Sequence, residues 1–144
     1  ICRKNYQFLH KSNKMIYTTQ EIKVRYYETD QMGIVHHSNY LKFFEFARIE
    51  WLEKLNTPYH EIEKNKIILP VVKCELKFLK PLVFGDTFKV KVHCTKKPTS
   101  SIEFSYEIFN NSGEKTTEGK TLLAFLNSDS MKPIRCPDMI SKLF

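Results

Sequence analysis

The chain has no apolar run long enough to cross a bilayer: its longest, Ile67-Ile68-Leu69-Pro70-Val71-Val72, falls far short of the ~20 residues that a spanning helix needs. Cysteine is sparse and poorly spaced for metals. Cys2, Cys74, Cys94 and Cys136 form no C-x-x-C pair and have no histidine at finger spacing, which argues against a zinc module and a dithiol redox motif. Cys74 and Cys94 fall in strand-like alternation, so buried free thiols in a reducing cytoplasm are expected rather than disulfides. Internal repeats and low-complexity tracts are missing too. The first residues, ICRKNYQFLHKSNK, lack the apolar block and small-residue cleavage site of a secretory signal. They read as a basic N-terminal extension over residues 1–14, followed by one domain over residues 15–144. A length of 144 residues with 42% hydrophobic content suits a single core.

What the chain has in excess is positive charge, +7 at neutral pH. Clustered lysines can replace counterions around phosphates, which raises nucleic-acid binding as a reading. The lysines here are spread out instead, and Lys73-Cys74-Glu75-Leu76-Lys77 and Lys89-Val90-Lys91 alternate as the wet face of a strand does. No RNA-binding signature accompanies them. A solvated surface is the favoured reading, with a phosphate-bearing small molecule as the next candidate.

Ser38 to Leu55, SNYLKFFEFARIEWLEKL, carries the helical period: Tyr40, Phe44, Ala47, Trp51 and Leu55 recur on one face, widened by Leu41 and Leu52. Ser38 or Asn39 is expected to cap the start, Glu50 and Lys54 to pair across a turn, and Asn56-Thr57-Pro58 to stop the helix. Glu45 and Arg48 form a simple i,i+3 pair. Downstream the period becomes two. Val72, Cys74, Leu76 and Phe78 alternate with charges, as do Phe88 to Cys94 and Ile102 to Ile108, and Thr116 to Asn127 closes the series. Turn residues at Pro81 with Gly85-Asp86, at Lys97-Pro98-Thr99-Ser100 and at Asn110-Asn111-Ser112-Gly113 separate these strands. Glu21 to Tyr27 adds one more strand before the helix. The order predicts an α+β fold, with one long central helix wrapped by a curled five-stranded antiparallel sheet. Exposed sheet edges in so small a chain favour a homo-oligomer.

Between the first strand and the helix lies Thr29-Asp30-Gln31-Met32-Gly33-Ile34-Val35-His36-His37, which places an acid, a glycine and two histidines at the mouth of the most apolar segment. By itself an acid followed by glycine three residues later is an ordinary turn. Adjacent histidines cannot both aim at one ion from a helix face, and no third ligand spacing is visible, so no metal site is expected. His36 reads as a packing or solvent-facing residue. Glu28 and Asp30 would share one face if the segment stayed extended, the arrangement of a carboxylate pair, although nothing else suggests a sugar site.

The longer string from Val24 to Leu41, VRYYETDQMGIVHHSNYL, together with Phe43-Phe44-Glu45-Phe46-Ala47-Arg48, resembles the signature of hot-dog-fold acyl-CoA thioesterases of the 4-hydroxybenzoyl-CoA thioesterase and YbgC-type branch. The resemblance runs more loosely through Phe78-Leu79-Lys80-Pro81-Leu82 and Gly85-Asp86, covering about Gln20 to Asn127. It implies a hot-dog fold and hydrolysis of an acyl-CoA to free acid and CoA. The family's catalytic carboxylate matches Asp30, as nucleophile or general base. His37 matches the position at the helix start whose N–H polarises the thioester carbonyl. Gly33, Ile34, Val35 and Tyr40 are then substrate-binding, and Lys77 and Lys80, with Lys96 and Lys97 beside them as candidates, would meet the CoA phosphates. No cofactor is implied, since CoA belongs to the substrate. The family's small-residue pair after the acid is replaced by Gln31-Met32, which alters the loop and the acyl pocket; Phe43, Phe44 and Phe46 line either a tunnel or the core. The resemblance suggests a nucleotide site near a subunit boundary, in a dimer or a dimer of dimers.

These roles make physical sense. Thioester cleavage builds negative charge on a carbonyl oxygen, and a helix N-terminus offers unpaired N–H groups and a partial positive charge to receive it. Gly33, without a Cβ, permits close approach of a substrate. The main rival is a non-catalytic module that holds acyl-CoA or an acyl carrier protein; a dehydratase acting on hydroxyacyl thioesters is a second.

Overall fold

One turn after the histidine pair the chain becomes α-helical and remains so for 15 residues, Tyr40–Lys54 (α1). This computed structural model describes residues 15–144; the stretch 1–14, with Cys2, lies outside the described residues. A 3-10 turn, His37–Asn39, leads directly into α1, and Tyr40, Phe43, Phe44, Ala47, Arg48, Trp51 and Leu52 are buried along one face. The expected stripe is therefore the observed one, with Leu55 half-buried at its end. Asn56 takes a left-handed φ of 56° and Pro58 follows, so the helix stops where its sequence says.

Its start differs from expectation. Asn39 stands at the N-cap position of α1 but makes no side-chain cap there; His36 is the N-cap of the 3-10 turn that leads into it, with extended backbone, and its Nδ1 accepts from the Ser38 N–H at 3.2 Å. The imidazole nitrogen does what a serine or aspartate oxygen usually does. Glu50 also finds another partner than Lys54: it accepts a 2.8 Å hydrogen bond from the Tyr17 hydroxyl. Burial first, then the Glu50 carboxylate, pushes that phenol up to about 12.

The strands are β1 (Ile16–Thr18), β2 (Ile22–Lys23), β3 (Ile67–Ile68), β4 (Val71–Phe78), β5 (Thr87–His93), β6 (Ser101–Asn110), β7 (Lys115–Ala124) and β8 (Leu126–Asn127). The main sheet is antiparallel in the order β1-β5-β6-β7-β4, with β2 also on β5, giving six strands where five were expected. The difference lies at the N-terminal edge. Glu21 to Tyr27 is not one strand: only Ile22–Lys23 pairs, and Tyr26–Glu28 coils into a 3-10 turn. The edge breaks at Thr19, whose hydroxyl accepts the Val90 N–H at 3.0 Å while its own N–H donates to Val90 O at 2.9 Å.

The helix lies across this sheet through ring-on-ring contacts. Phe43 meets Phe88 at 4.7 Å, Phe44 lies nearly parallel to Tyr106 at 4.2 Å, and Trp51 meets Phe104 at 6.1 Å. Each fully buried aromatic or aliphatic side chain contributes roughly 1.5–3 kcal/mol by leaving water. Phe43 and Phe44 are core residues, whereas Phe46 is half-exposed. Gly119 on β7 lets the Phe44 ring press against the sheet: a Cβ there would lie 2.3 Å from Phe44 Cε2. At the far end of α1, Phe144 packs edge-on to Trp51 at 5.1 Å, below a short helix α3 (Asp138–Ser141). A further helix, α2 (Tyr59–Lys64), leads into the small β3-β8 sheet.

Strand β4 corrects another expectation. Its alternation suggested a half-buried strand, yet only Leu76 is even partly buried, and Cys74 is exposed rather than a core thiol. β4 is the outer strand beside β7, so Val72 is exposed and Phe78 is half-exposed, with one edge of its ring against Tyr40 of α1. Cys94 behaves as expected, buried and free.

Candidate active site

Residues 29–35 form a tight hairpin sewn to the sheet on one side and to the helix start on the other. Thr29 bridges Val35, the Asp30 N–H donates to Ile34 O at 2.8 Å, and Gly33 closes the turn with its N–H on Asp30 O at 2.9 Å and a φ of 79°. A side chain at that φ would be strained, so glycine is required by the turn. Val35 N–H then reaches Leu82 O at 2.8 Å and Ile34 bridges Val83, fixing the hairpin to the segment ahead of β5.

Within this turn Asp30 is half-buried, and its Oδ1 accepts from the Met32 N–H at 2.8 Å and, more weakly, from the Ile34 N–H at 3.4 Å. The side chain is thus pinned by one oxygen. Oδ2 has no hydrogen-bond partner among the described residues. Glu28, by contrast, is turned away into a buried position where its Oε2 accepts from the Arg25 N–H at 2.8 Å. The two acids do not share an extended face, because Glu28 ends the 3-10 turn with its carboxylate folded back onto Arg25, whereas that of Asp30 points forward onto Met32.

The helix start stands across from the turn. Its first N–H groups have no acceptor within the helix; His36 Nδ1 takes that of Ser38, and none of the described residues takes that of His37. The His37 ring is exposed and stacks on His36 at 4.1 Å. Since the 3-10 turn runs without a break into α1, the partial positive charge of the helix terminus falls at His37.

Asp30, Ile34, Val35, His37, Tyr40 and Lys80 line one open cleft of about 390 Å³, together with Met32, Phe78, Leu79 and Pro81. Gly33 shapes the turn at its rim. Lys77 is not brought here: as the neighbour of Phe78 on a strand its side chain takes the opposite sheet face, where it lines a separate groove with His93 and Glu107. Lys96 and Lys97 do not line the cleft either; both sit exposed in the turn after β5. Lys80 is paired with Glu114 from the β6–β7 turn. Tyr40 is buried, and burial raises its phenol despite hydrogen bonds at Thr117 and the Leu82 backbone, so it stays neutral near pH 7 and serves as the apolar floor, edge-on to Phe78 at 5.1 Å. The cleft roles of Phe78, Leu79 and Pro81 were not legible, because alternation alone placed Phe78 in a core. No group of acids, histidines and cysteines among the described residues is arranged to hold a metal ion.

A carboxylate with one oxygen tethered and one uncommitted, facing a cleft shared with the N-terminus of a long helix, is suited to attack or deprotonation at a carbonyl whose developing charge the helix N–H receives. The family model described as the thioesterase-like superfamily matches residues 24–144. The chain belongs to that superfamily. Among solved superfamily folds, the DHNA-CoA thioesterase of Staphylococcus aureus is 39% identical, with a TM-score of 0.80 over 83% of this chain and 80% of that one. A Thermus thermophilus protein of unassigned activity is 33% identical, with a TM-score of 0.81 over 90% of this chain and 95% of its own. YneP of Bacillus subtilis, provisionally named an acyl-CoA thioesterase, is 35% identical over 81% of this chain and 84% of its own length. The helix laid across an antiparallel sheet is the superfamily's hot-dog architecture.

Proposed function

We propose that this protein hydrolyses acyl-CoA thioesters to the free acid and CoA, without a cofactor. The observation that carries the reading is the shared cleft of Asp30 and the helix start at His37. The carbonyl oxygen accepts from the His37 N–H while Asp30 drives the attack through Oδ2. In one course the carboxylate bonds to the carbonyl carbon, the C–S bond breaks, CoA leaves as thiolate and takes a proton, and water cleaves the resulting anhydride. In the other, Asp30 takes a proton from a water whose oxygen bonds to the carbonyl carbon, and the thiolate again departs. Ile34, Val35, Tyr40 and the turn at Gly33 enclose the reacting end of the substrate, and Lys80 meets the CoA phosphates once released from Glu114.

The exposed β4 edge, eight residues long, supports pairing with a second copy, as a dimer or a dimer of dimers. A light-scattering mass of one chain at working concentration would refute that part. The unpaired thiols of Cys74, Cys94 and Cys136 accord with a reducing cytoplasmic setting.

The test is Asp30→Asn, followed by loss of thioester absorbance across a panel of acyl-CoAs of different length and aromaticity. Acyl-CoA binding is retained and turnover falls by about 10²-fold or more. Near-normal turnover in the variant rejects Asp30, and tight binding by the unaltered protein without any product favours the non-catalytic module.

A further inference from the structure

We infer that Asn39 is a positioning residue that locks the helix start and the Asp30 hairpin into one rigid unit through the carbonyl of Glu28. The inference rests on the thioesterase reading and names a residue on which the alignment of that site depends. Asn39 is 8% exposed, and its Nδ2 donates to Glu28 O at 2.8 Å across 11 residues of sequence. The same carbonyl accepts the His36 N–H at 2.8 Å, so both of its lone pairs are committed to the helix start.

Both ends of this clasp are themselves fixed. Glu28 is held by its N–H on Arg25 O at 3.0 Å and by its carboxylate on the Arg25 N–H, and the next residue, Thr29, is bridged to Val35. Asp30 follows immediately. On the helix side the Asn39 N–H donates to His36 O at 2.9 Å, closing the turn that contains His37. The carboxylate and the His37 N–H are therefore each two residues from one hydrogen bond.

The clasp matters because a 3-10 turn has poorer hydrogen-bond geometry than an α-helix and needs an outside anchor. An oxyanion donor is useful only within about 2.7–3.1 Å of the place where charge develops, and a misplacement of about 1 Å costs on the order of 10²-fold in rate. Asparagine fits the task because its amide reaches the carbonyl as a donor. An aspartate of the same shape would turn an oxygen toward an oxygen, and serine would fall short.

The test uses the full chain with Asn39→Asp and Asn39→Ser. Hydrolysis is measured with an acyl-CoA turned over by the unaltered protein. Binding is measured with a ketone analogue in which CH₂ replaces the thioester sulfur, and its titration gives the fraction of folded sites. The ketone carbonyl carries a ¹³C label so that its infrared stretch reports polarisation in the site. Per folded site, kcat falls by roughly 30- to 100-fold while KM and the analogue's Kd change by less than about threefold, and the bound carbonyl stretch moves back toward its value in water. A kcat per folded site within about threefold of normal overturns the inference, as does an unchanged carbonyl stretch. Should Asn39→Asp not fold, Asn39→Ser is read by the same criteria. If the unaltered protein hydrolyses no acyl-CoA, the thioesterase reading fails; if it does and the Asn39 variants match it, only the clasp fails.

Discussion

Replacing Gly119 by alanine adds one methyl group where the helix and the sheet come closest, and its cost can be worked out atom by atom. The new Cβ would stand 2.3 Å from Phe44 Cε2, 2.6 Å from Phe44 Cζ and 2.9 Å from the Glu75 carbonyl oxygen. Backbone conformation does not oppose the change, since Gly119 has no positive φ, and in open surroundings Gly→Ala would gain roughly 0.4–1 kcal/mol through the unfolded chain. Steric crowding reverses that sign. The Phe44 ring is 0% exposed and lies at 7° to Tyr106, so it has no free direction in which to swing. Restoring ordinary contact requires a shift of roughly an ångström in the ring, in β4, or in both, which places the loss at the upper end of the overpacking range, about 2–3 kcal/mol. For a chain of this length that corresponds to a fall in Tm of about 10 °C by scanning calorimetry. Phe44→Leu removes the two offending ring atoms, so the double variant is less destabilised than the sum of the singles by more than about 1 kcal/mol. An unchanged or higher Tm for Gly119→Ala, or simple additivity with Phe44→Leu, would refute the reasoning. Because Phe44 lies one turn beyond Tyr40, the cleft floor moves with it and hydrolysis falls along with stability.

Three other expectations follow from the interior and the outer sheet face. Tyr106→Phe removes a buried hydroxyl that bonds Thr121 at 2.8 Å and lies 3.5 Å from Arg48 Nη1; leaving both polar groups short of a partner costs about 1–3 kcal/mol in urea denaturation, and a loss below about 0.5 kcal/mol would contradict the network. Glu107 is raised by partial burial but lowered more strongly by Lys115 and His93, so its folded value lies below the ordinary 4.5. It contributes stability that is present above 4.5 and lost as pH falls through the folded value; Glu107→Gln therefore flattens the acid limb of Tm against pH, and an unaltered limb would count against the pairing. Burial is the leading cause that holds the Cys94 and Cys136 thiols at about 11, whereas Cys74 is exposed, so iodoacetamide followed by peptide mass mapping modifies Cys74 first. Equal labelling of Cys74 and Cys94 in the native protein would show that the interior is open.

Much of this architecture was legible because it is periodic. The stripe of Tyr40, Phe44, Ala47 and Trp51 and the alternation of Phe88, Val90 and Val92 with lysines each report one buried face, and those residues are buried. Periodicity reports which side of an element is apolar, not what lies opposite it. That is why β4 reads as half-buried although α1 meets it only at its end, through Tyr40 on Phe78, and seven of its eight residues are exposed. The 3-10 turn at Tyr26–Glu28 and the histidine cap escaped notice for a different reason: each opens on a residue outside the usual N-cap set, Arg25, whose N–H the Glu28 carboxylate accepts, and His36, whose ring takes the Ser38 N–H. For the candidate site, the string around Asp30 drew attention to most of the cleft residues, Asp30, Ile34, Val35, His37 and Tyr40 among them. Lys77 lies outside that cleft because neighbouring residues on a strand point to opposite faces, and Phe78 takes the cleft side.

The ring of Phe144 against Trp51 and Phe104 has a bearing on what an acyl group can do after its carbonyl is seated. These rings stopper the far end of the domain, and the space left beside them is about 10 Å³, no more than a single water could fill. An alkyl tail therefore cannot thread lengthwise beneath the helix from the mouth to the base. Under the proposed reading, the room for a tail lies outside that base, in the cleft beside Leu79 and Pro81 and in a groove of about 880 Å³ along Phe43, Phe46 and Phe84, so a change in preferred tail length would come from recutting these surfaces rather than from hollowing the interior.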